Sequence, residues 1–103
     1  MPEIVIRKRA RRDVEEQAAF LANESTGLAA RFLDEFDRAV HRLLRFPNPG
    51  RAWPARNTSL RGLRRLTMTG FPLSDFYRSR LQALETIRVL HHSRDLPPDL
   101  QDF

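Results

Sequence analysis

The longest regular pattern in the sequence is an amphipathic repeat that runs from about Leu28 to Phe46. Its apolar side chains recur at i, i+3, i+4 and i+7, the spacing of one face of an α-helix. Pro47 ends the repeat, and Asn48-Pro49-Gly50 favours a turn. A stripe this long needs another layer of structure to cover it. Its members are Ala29, Phe32, Leu33, Phe36, Val40, Leu43 and Leu44.

A shorter helical pattern precedes this one, and its stripe consists of Ala10, Val14, Ala18 and Leu21. The segment 23–27 separates the two patterns, with Thr26 or Gly27 expected near the cap. Two amphipathic helices joined by a few residues pack as antiparallel neighbours. Neither helix can bury its stripe fully on the other, so the pair predicts a sheet on which both lie.

Short runs rich in β-branched and aliphatic residues flank the helices, which is typical of strands. The segment Arg51–Ser59 shows neither the helical repeat nor the alternation of a strand. The resulting order β-α-α-β-β-β predicts one α+β domain over residues 1–103. Its antiparallel twisted sheet carries the N-terminal αα-hairpin on one face. The predicted strands are Ile4–Ile6, Leu60–Met68, Phe71–Arg78 and, as the last and most central one, Glu85–Asp95.

The last strand offers two different faces. Because side chains alternate along a strand, Ile87, Val89 and His91 are expected on one face. Arg88, Leu90 and His92 are then expected on the other, where the arginine and the histidine can meet a partner. Pro97-Pro98 prevents the strand from continuing, because proline has no backbone N–H to donate to a neighbouring strand.

Positive charge is concentrated in the middle of the chain. The formal net charge is +5, and the interval between Asp37 and Asp75 contains eight arginines and no acidic residue. A surface of one sign attracts a polyanion, such as nucleic acid or an acidic protein segment.

Other functional classes have little support in the sequence. The chain has no cysteine, which excludes a disulfide scaffold and thiolate chemistry. No apolar run reaches the length of a membrane helix, and no signal pattern begins the chain, so a cytoplasmic protein is expected. His91 and His92 point apart on a strand and make a poor metal pair. We therefore expect no metal and no cofactor.

Several short segments, in the same order and spacing, resemble the ParE/RelE superfamily of toxins from bacterial type II toxin–antitoxin modules, and its ParE branch more closely. The resemblance runs nearly end to end. The segments are Ala10-Arg11-Arg12-Asp13-Val14-Glu15-Glu16, Ala30-Arg31-Phe32-Leu33, Leu44-Arg45-Phe46-Pro47-Asn48-Pro49-Gly50, Leu60-Arg61-Gly62-Leu63-Arg64, Phe76-Tyr77-Arg78 and Arg88-Val89-Leu90-His91-His92-Ser93-Arg94-Asp95.

Two residues depart from the family pattern. Asp75 stands where the family usually has an aliphatic residue, and a buried charge costs stability unless it is paired. Arg64 or Arg65 on the neighbouring strand is the expected partner. His92 occupies a position that glycine often holds.

ParE-like relatives are known for poisoning DNA gyrase, a protein–protein action that needs no catalytic group on the toxin. The resemblance therefore implies a gyrase inhibitor rather than an enzyme. It also implies a hetero-oligomer with a ParD-like antitoxin, whose acidic, initially disordered C-terminal segment folds upon the toxin. The expected antitoxin contacts are Phe32, Phe36, Arg61, Arg64 and Arg65, and the expected target contacts are Arg88, His92 and Arg94.

The RelE-like branch offers an alternative, which is cleavage of mRNA in the ribosome. That reaction needs a proton acceptor, a proton donor and cationic stabilisation of the phosphorane. Nuclease relatives usually carry lysines in the region of Arg61, Arg64 and Arg65, and this sequence has none there. The candidate catalytic set would be Arg61, Arg65, Tyr77, Arg78, Arg88 and His92.

A third hypothesis is a nucleic-acid-binding module without toxicity. The positive charge agrees with it, but no helix-turn-helix, zinc-finger or RRM-like signature supports it. Steep salt dependence of DNA binding would favour this reading.

Overall fold

The computed structural model describes residues 3–53 and 61–91. Within these ranges it confirms the predicted α+β class, with a helical pair placed between the first strand and the others. Parts of the strands predicted over Leu60–Met68 and Glu85–Asp95 lie outside the described residues. The elements are β1 (Glu3–Ile6), α1 (Lys8–Glu24), α2 (Thr26–Arg45), β2 (Arg51–Ala52), β3 (Arg64–Thr67), β4 (Leu73–Arg80) and β5 (Ala83–His91).

The described strands form one sheet in the order β1-β5-β4-β3-β2. Strands β3, β4 and β5 form the predicted antiparallel meander. In contrast, β1 pairs with β5 in parallel, so the sheet is mixed. A two-residue strand, β2, adds to β3 within the segment predicted to be irregular. As a result β5 is an interior strand between β1 and β4, while β4 occupies the middle of the sheet.

A single residue, Ser25, separates the two helices. Its amide donates to the Leu21 carbonyl at 2.9 Å and closes α1. Its hydroxyl accepts from the Leu28 amide at 3.3 Å and caps α2. Thr26 and Gly27, predicted near the cap, therefore lie inside the first turn of α2. Neither described helix is long and apolar enough to cross a membrane.

The sheet buries apolar side chains on both faces. The larger cluster lies between the helices and the sheet and includes Phe32, Leu43 and Leu84. Tyr77 also belongs to it, whereas its neighbour Phe76 belongs to a smaller cluster. Because adjacent residues of a strand point to opposite faces, the smaller cluster lies on the face away from the helices. That cluster consists of Leu63, Phe76, Ile87 and Leu90, with Trp53 packed against it.

A β-bulge changes the alternation of β5. Phe76 pairs with Arg88, but Tyr77 pairs with Thr86, so Ile87 is an extra residue in the strand. Ile87 consequently joins the smaller cluster and Val89 the larger one. The prediction that these two side chains share a face is wrong, because an inserted residue shifts the period of two by one position.

Candidate interaction surfaces and buried charges

The two aromatic side chains expected to contact the antitoxin are part of the core. Phe32 is fully buried and Phe36 is 6% exposed. The Phe32 ring packs edge-to-face on Phe71 with 5.5 Å between the ring centroids. The sheet and the turn before β4 enclose both rings. Neither ring presents a surface to a partner in this structure.

Among the described residues, the exposed aromatic side chains are Phe20 on α1 and Phe46 at the end of α2, at 59% and 66% exposure. Phe20 lines an open groove of about 720 Å³ between α1 and the end of β5, together with Phe71 and Pro72. Phe46 belongs to neither apolar cluster of the described residues. The helical periodicity did not predict that these two residues are exposed. It identifies the apolar stripe of a helix but not how much of that stripe the neighbouring sheet covers.

Tyr77 holds the segment that follows α2 against the sheet. Its hydroxyl donates to the Pro47 carbonyl at 2.8 Å and accepts from the Gly50 amide at 2.9 Å. Burial raises the pKa of Tyr77 above its ordinary value, despite the opposing hydrogen bond from Gly50. The proton of this phenol is therefore committed to a structural hydrogen bond.

The three arginines predicted for antitoxin binding differ in their surroundings. Arg61 is exposed in the turn before β3. Arg64 donates to the Gly50 carbonyl at 2.7 Å and so supports the same segment as Tyr77. Arg65 donates to the Ser74 hydroxyl at 2.9 Å, and its guanidinium carbon lies 5.2 Å from the centre of the Trp53 ring. Since Arg64 and Arg65 are neighbours on a strand, they extend to opposite faces.

Two of the predicted catalytic arginines form buried ion pairs. Arg78 is 6% exposed, and its Nε donates to Glu85. The same carboxylate also accepts from Arg7 at 2.7 Å. Burial by itself would raise the pKa of Glu85, but the hydrogen bonds from Arg78 and Arg7 outweigh it and lower that pKa. The trio ties the junction between β1 and α1 to β4 and β5.

Arg88, predicted as a target contact, is bound by Asp13 of α1. The Arg88 Nε and Nη2 atoms donate to the Asp13 carboxylate at 2.7 and 3.1 Å. The Val89 amide donates to the same carboxylate at 3.0 Å. The sequence placed Asp13 only within the segment of family resemblance and did not reveal this pairing.

Asp75 is fully buried in β4, between its strand neighbours Leu66 and Val89. Neither of its carboxylate oxygens has a hydrogen-bond partner among the described residues. The expected pairing with Arg64 or Arg65 is wrong, because those side chains bind Gly50 and Ser74 instead. Burial raises the pKa of Asp75 to about 7.

The predicted catalytic residues do not form one site within the described ranges. Tyr77 faces the helices, Arg78 binds Glu85, and Arg88 binds Asp13. His92, and the predicted target contact Arg94, lie outside the described residues. The structure therefore places Tyr77, Arg78 and Arg88 in separate structural contacts.

Comparison with known proteins agrees with this fold. The sequence profile of the family described as the ParE toxin of the type II toxin–antitoxin system, parDE, matches residues 4–96. A solved structure described as the chromosomal ParDE TA system from P. aeruginosa aligns with a TM-score of 0.68. That alignment covers 88% of this chain and 96% of the other at 18% sequence identity, which supports the fold alone. No curated protein matches this chain significantly in sequence. Because the family profile spans most of its length, the chain belongs to the ParE toxin family of type II toxin–antitoxin systems.

Proposed function

We propose that this chain inhibits DNA gyrase and that a cognate ParD-like antitoxin neutralises it in a hetero-oligomeric complex. Membership of the ParE family supports the toxin role. One observation favours gyrase over mRNA as the target. Three of the side chains that mRNA cleavage would use, those of Tyr77, Arg78 and Arg88, are committed to buried contacts, whereas inhibition of a protein needs no catalytic group.

Ribonuclease chemistry requires groups that can exchange protons and face a phosphate. The Tyr77 hydroxyl is held between Pro47 and Gly50. The guanidinium groups of Arg78 and Arg88 are paired with carboxylates. Moving these arginines to an RNA substrate would leave buried carboxylates unpaired, which is costly.

His92 and Arg94 stay proposed target contacts, because they follow β5 directly in the sequence. Arg88 has a different part in this proposal. Its pairing with Asp13 fixes the last part of β5, so we assign Arg88 a structural role rather than a contact with gyrase. Both proposed partners place the protein in the bacterial cytoplasm.

Induced expression in a bacterium, alone and together with the proposed ParD-like antitoxin, tests the proposal. We expect a DNA-damage response that the co-expressed antitoxin suppresses, and inhibition of purified gyrase in a supercoiling assay. Translation arrest with cleaved mRNA would overturn the proposal in favour of the ribonuclease. Unimpaired growth together with tight, salt-sensitive DNA binding would overturn it in favour of a nucleic-acid-binding module.

A further inference from the structure

Asp75 lies on the middle strand of the sheet, and its carboxyl group is fully buried with no hydrogen-bond partner among the described residues. Buried polar groups are nearly always hydrogen-bonded, so this exception calls for an explanation. A carboxyl group in such a place can stay neutral, but its ionised form has no donor to stabilise it. Any motion that admits water to Asp75 therefore becomes easier when the carboxyl ionises.

Asp75 faces the helical pair rather than the opposite side of the sheet. Leu73 and Tyr77, two residues away in either direction along β4, belong to the larger apolar cluster between the helices and the sheet. Since side chains two apart on a strand share a face, Asp75 points into the same cluster. Its strand neighbours Leu66 and Val89 pack in that cluster as well. The helices are thus the layer that separates Asp75 from water.

The polar side chains nearest to Asp75 on the neighbouring strands are held by other groups. The Tyr77 hydroxyl is bound between Pro47 and Gly50. On β3, Arg64 donates to the Gly50 carbonyl at 2.7 Å. Neither side chain can donate to an ionised Asp75 without giving up these contacts.

The helices bring no buried positive charge to Asp75. Among their described residues, the partly buried titratable side chains are both acids, Asp13 and Glu35. The carboxylate of Asp13 binds Arg88 of β5 at 2.7 Å and so anchors α1 to the sheet. The Glu35 Oε2 atom lies 3.9 Å from Nη1 of Arg38 on the same helix. Nearby acids disfavour a further carboxylate, so an ionised Asp75 is stabilised only by water.

We infer that ionisation of Asp75 opens the helical layer locally, by separation of α2 from the sheet, while the sheet stays folded. The described contacts of α2 with the sheet are apolar, in contrast to the Asp13 anchor of α1. The sheet keeps its β4–β5 ladder and the smaller apolar cluster on its other face. Opening also hydrates the Thr86 hydroxyl, which is buried without a partner among the described residues.

The direction of the pH dependence follows from the two states of the carboxyl group. Burial raises the pKa of Asp75 to about 7 in the closed form, whereas in water it returns to the ordinary value of 3.8. The open fraction therefore rises about tenfold for each pH unit between about pH 4 and pH 7, and it levels off above that range. Global unfolding has the same dependence on pH, so the experiment must also separate a local opening from a global one.

Hydrogen–deuterium exchange of the full chain, read peptide by peptide and corrected for intrinsic exchange rates, tests the inference. We expect the α2 amides to lose about tenfold of protection per pH unit between about pH 5 and pH 7. At about pH 7 they should exchange at least about tenfold faster than the amides that join β4 and β5. Low concentrations of urea should change the α2 exchange little, because a local opening exposes little new surface.

Two variants remove the titrating group. Asp75→Asn and Asp75→Val should each abolish the pH dependence of the α2 amides, and valine suits a strand should the buried amide prevent folding. Asp34→Asn, at an exposed position of α2, is the matched control and should keep that dependence. The inference is overturned if α2 and the β4–β5 amides exchange at one rate with one urea dependence, since only global unfolding then occurs. It is equally overturned if the Asp75 variants keep the pH dependence. Because exchange is measured on this chain alone, the result does not depend on the proposed target or antitoxin.

Discussion

The carboxylate of Asp13 on α1 forms a two-point ion pair with the Arg88 guanidinium, with N–O distances of 2.7 and 3.1 Å. It also accepts the Val89 amide at 3.0 Å. Strand β1 covers the edge of β5 only as far as Thr86. Beyond that point Asp13 provides the acceptor that a neighbouring strand would otherwise provide, so a helix completes the edge of the sheet.

Replacing Asp13 should destabilise the fold strongly. The side chains of Asp13 and Arg88 are only 12% and 9% exposed, so Asp13→Asn would leave a buried guanidinium without its counter-charge. We expect the free energy of unfolding to fall by about 3 kcal/mol, measured by urea denaturation. Glu16→Gln on the exposed part of α1 is the control and should change it by less than about 0.5 kcal/mol. Equal effects of the two changes would contradict this role for Asp13.

The contact between Gly50 and Tyr77 predicts that Gly50 tolerates no side chain. In Gly50→Ala the new Cβ would overlap the Tyr77 Oη atom and would lie 2.7 and 2.8 Å from the Cε1 and Cζ atoms. We expect a loss of about 1–3 kcal/mol in the free energy of unfolding, the usual cost of overpacking. Adding Tyr77→Phe removes only the shortest of these contacts, so the double variant should not recover the stability.

Gly27 provides the matched control for this prediction. It lies in the first turn of α2, where a Cβ would meet only the Ser25 hydroxyl oxygen, at 3.6 Å. Gly27→Ala should therefore stabilise the protein by about 0.5–1 kcal/mol through its higher helix propensity. Thermal unfolding monitored by circular dichroism distinguishes the two variants. Gly50→Ala as stable as Gly27→Ala would refute the close packing at Gly50.

The buried carboxyl of Asp75 predicts stability that decreases with rising pH. Its folded-state pKa of about 7 lies above the ordinary value of 3.8, so folding favours the protonated form. The stability that this group contributes is full below about pH 4 and is lost as the pH rises through 7. The difference between the two pKa values corresponds to about 4 kcal/mol. The loss accumulates between these two pKa values, so urea denaturation from about pH 4 to about pH 8 measures it.

Asp75→Asn should remove most of this pH dependence, because the amide does not ionise. Asp37→Asn is the control, since the Asp37 side chain is 75% exposed. Glu85 acts with the opposite sign. Its pKa is lowered, so its contribution is present above the ordinary value of 4.5 and disappears as the pH falls. An unchanged pH dependence in Asp75→Asn would show that another group is responsible.

Ser25 joins the two helices, and its side chain should contribute to stability as an N-cap. Ser25→Ala removes the acceptor of the Leu28 amide. We expect a loss of about 1 kcal/mol in the free energy of unfolding. Ser25→Asp keeps an acceptor at the same place and should retain most of the stability. If both variants lose stability equally, the backbone of the junction, rather than the hydroxyl, holds the helices.

The positions of the helices and of the last two strands could be predicted because they depend on local periodicity. The pattern of α2 predicted Leu28 to Phe46, and the helix spans Thr26–Arg45. The parallel pairing of β1, by contrast, joins residues about eighty positions apart, and no local pattern encodes it. The bulge at Ile87 was missed for the same reason, since it exists only in the register between β4 and β5.

The sequence by itself determined the α+β class, the helical pair, the positive charge and the likeness to the ParE family. These properties follow from side-chain spacing, composition and short local segments, which need no distant contact. Only the tertiary structure decided that Phe32 and Phe36 are core while Phe46 is exposed. It also decided that Arg78 and Arg88 are paired with acids, while Asp75 has no partner among the described residues. Burial and pairing are properties of two segments in contact, so they depend on which parts of the chain become neighbours.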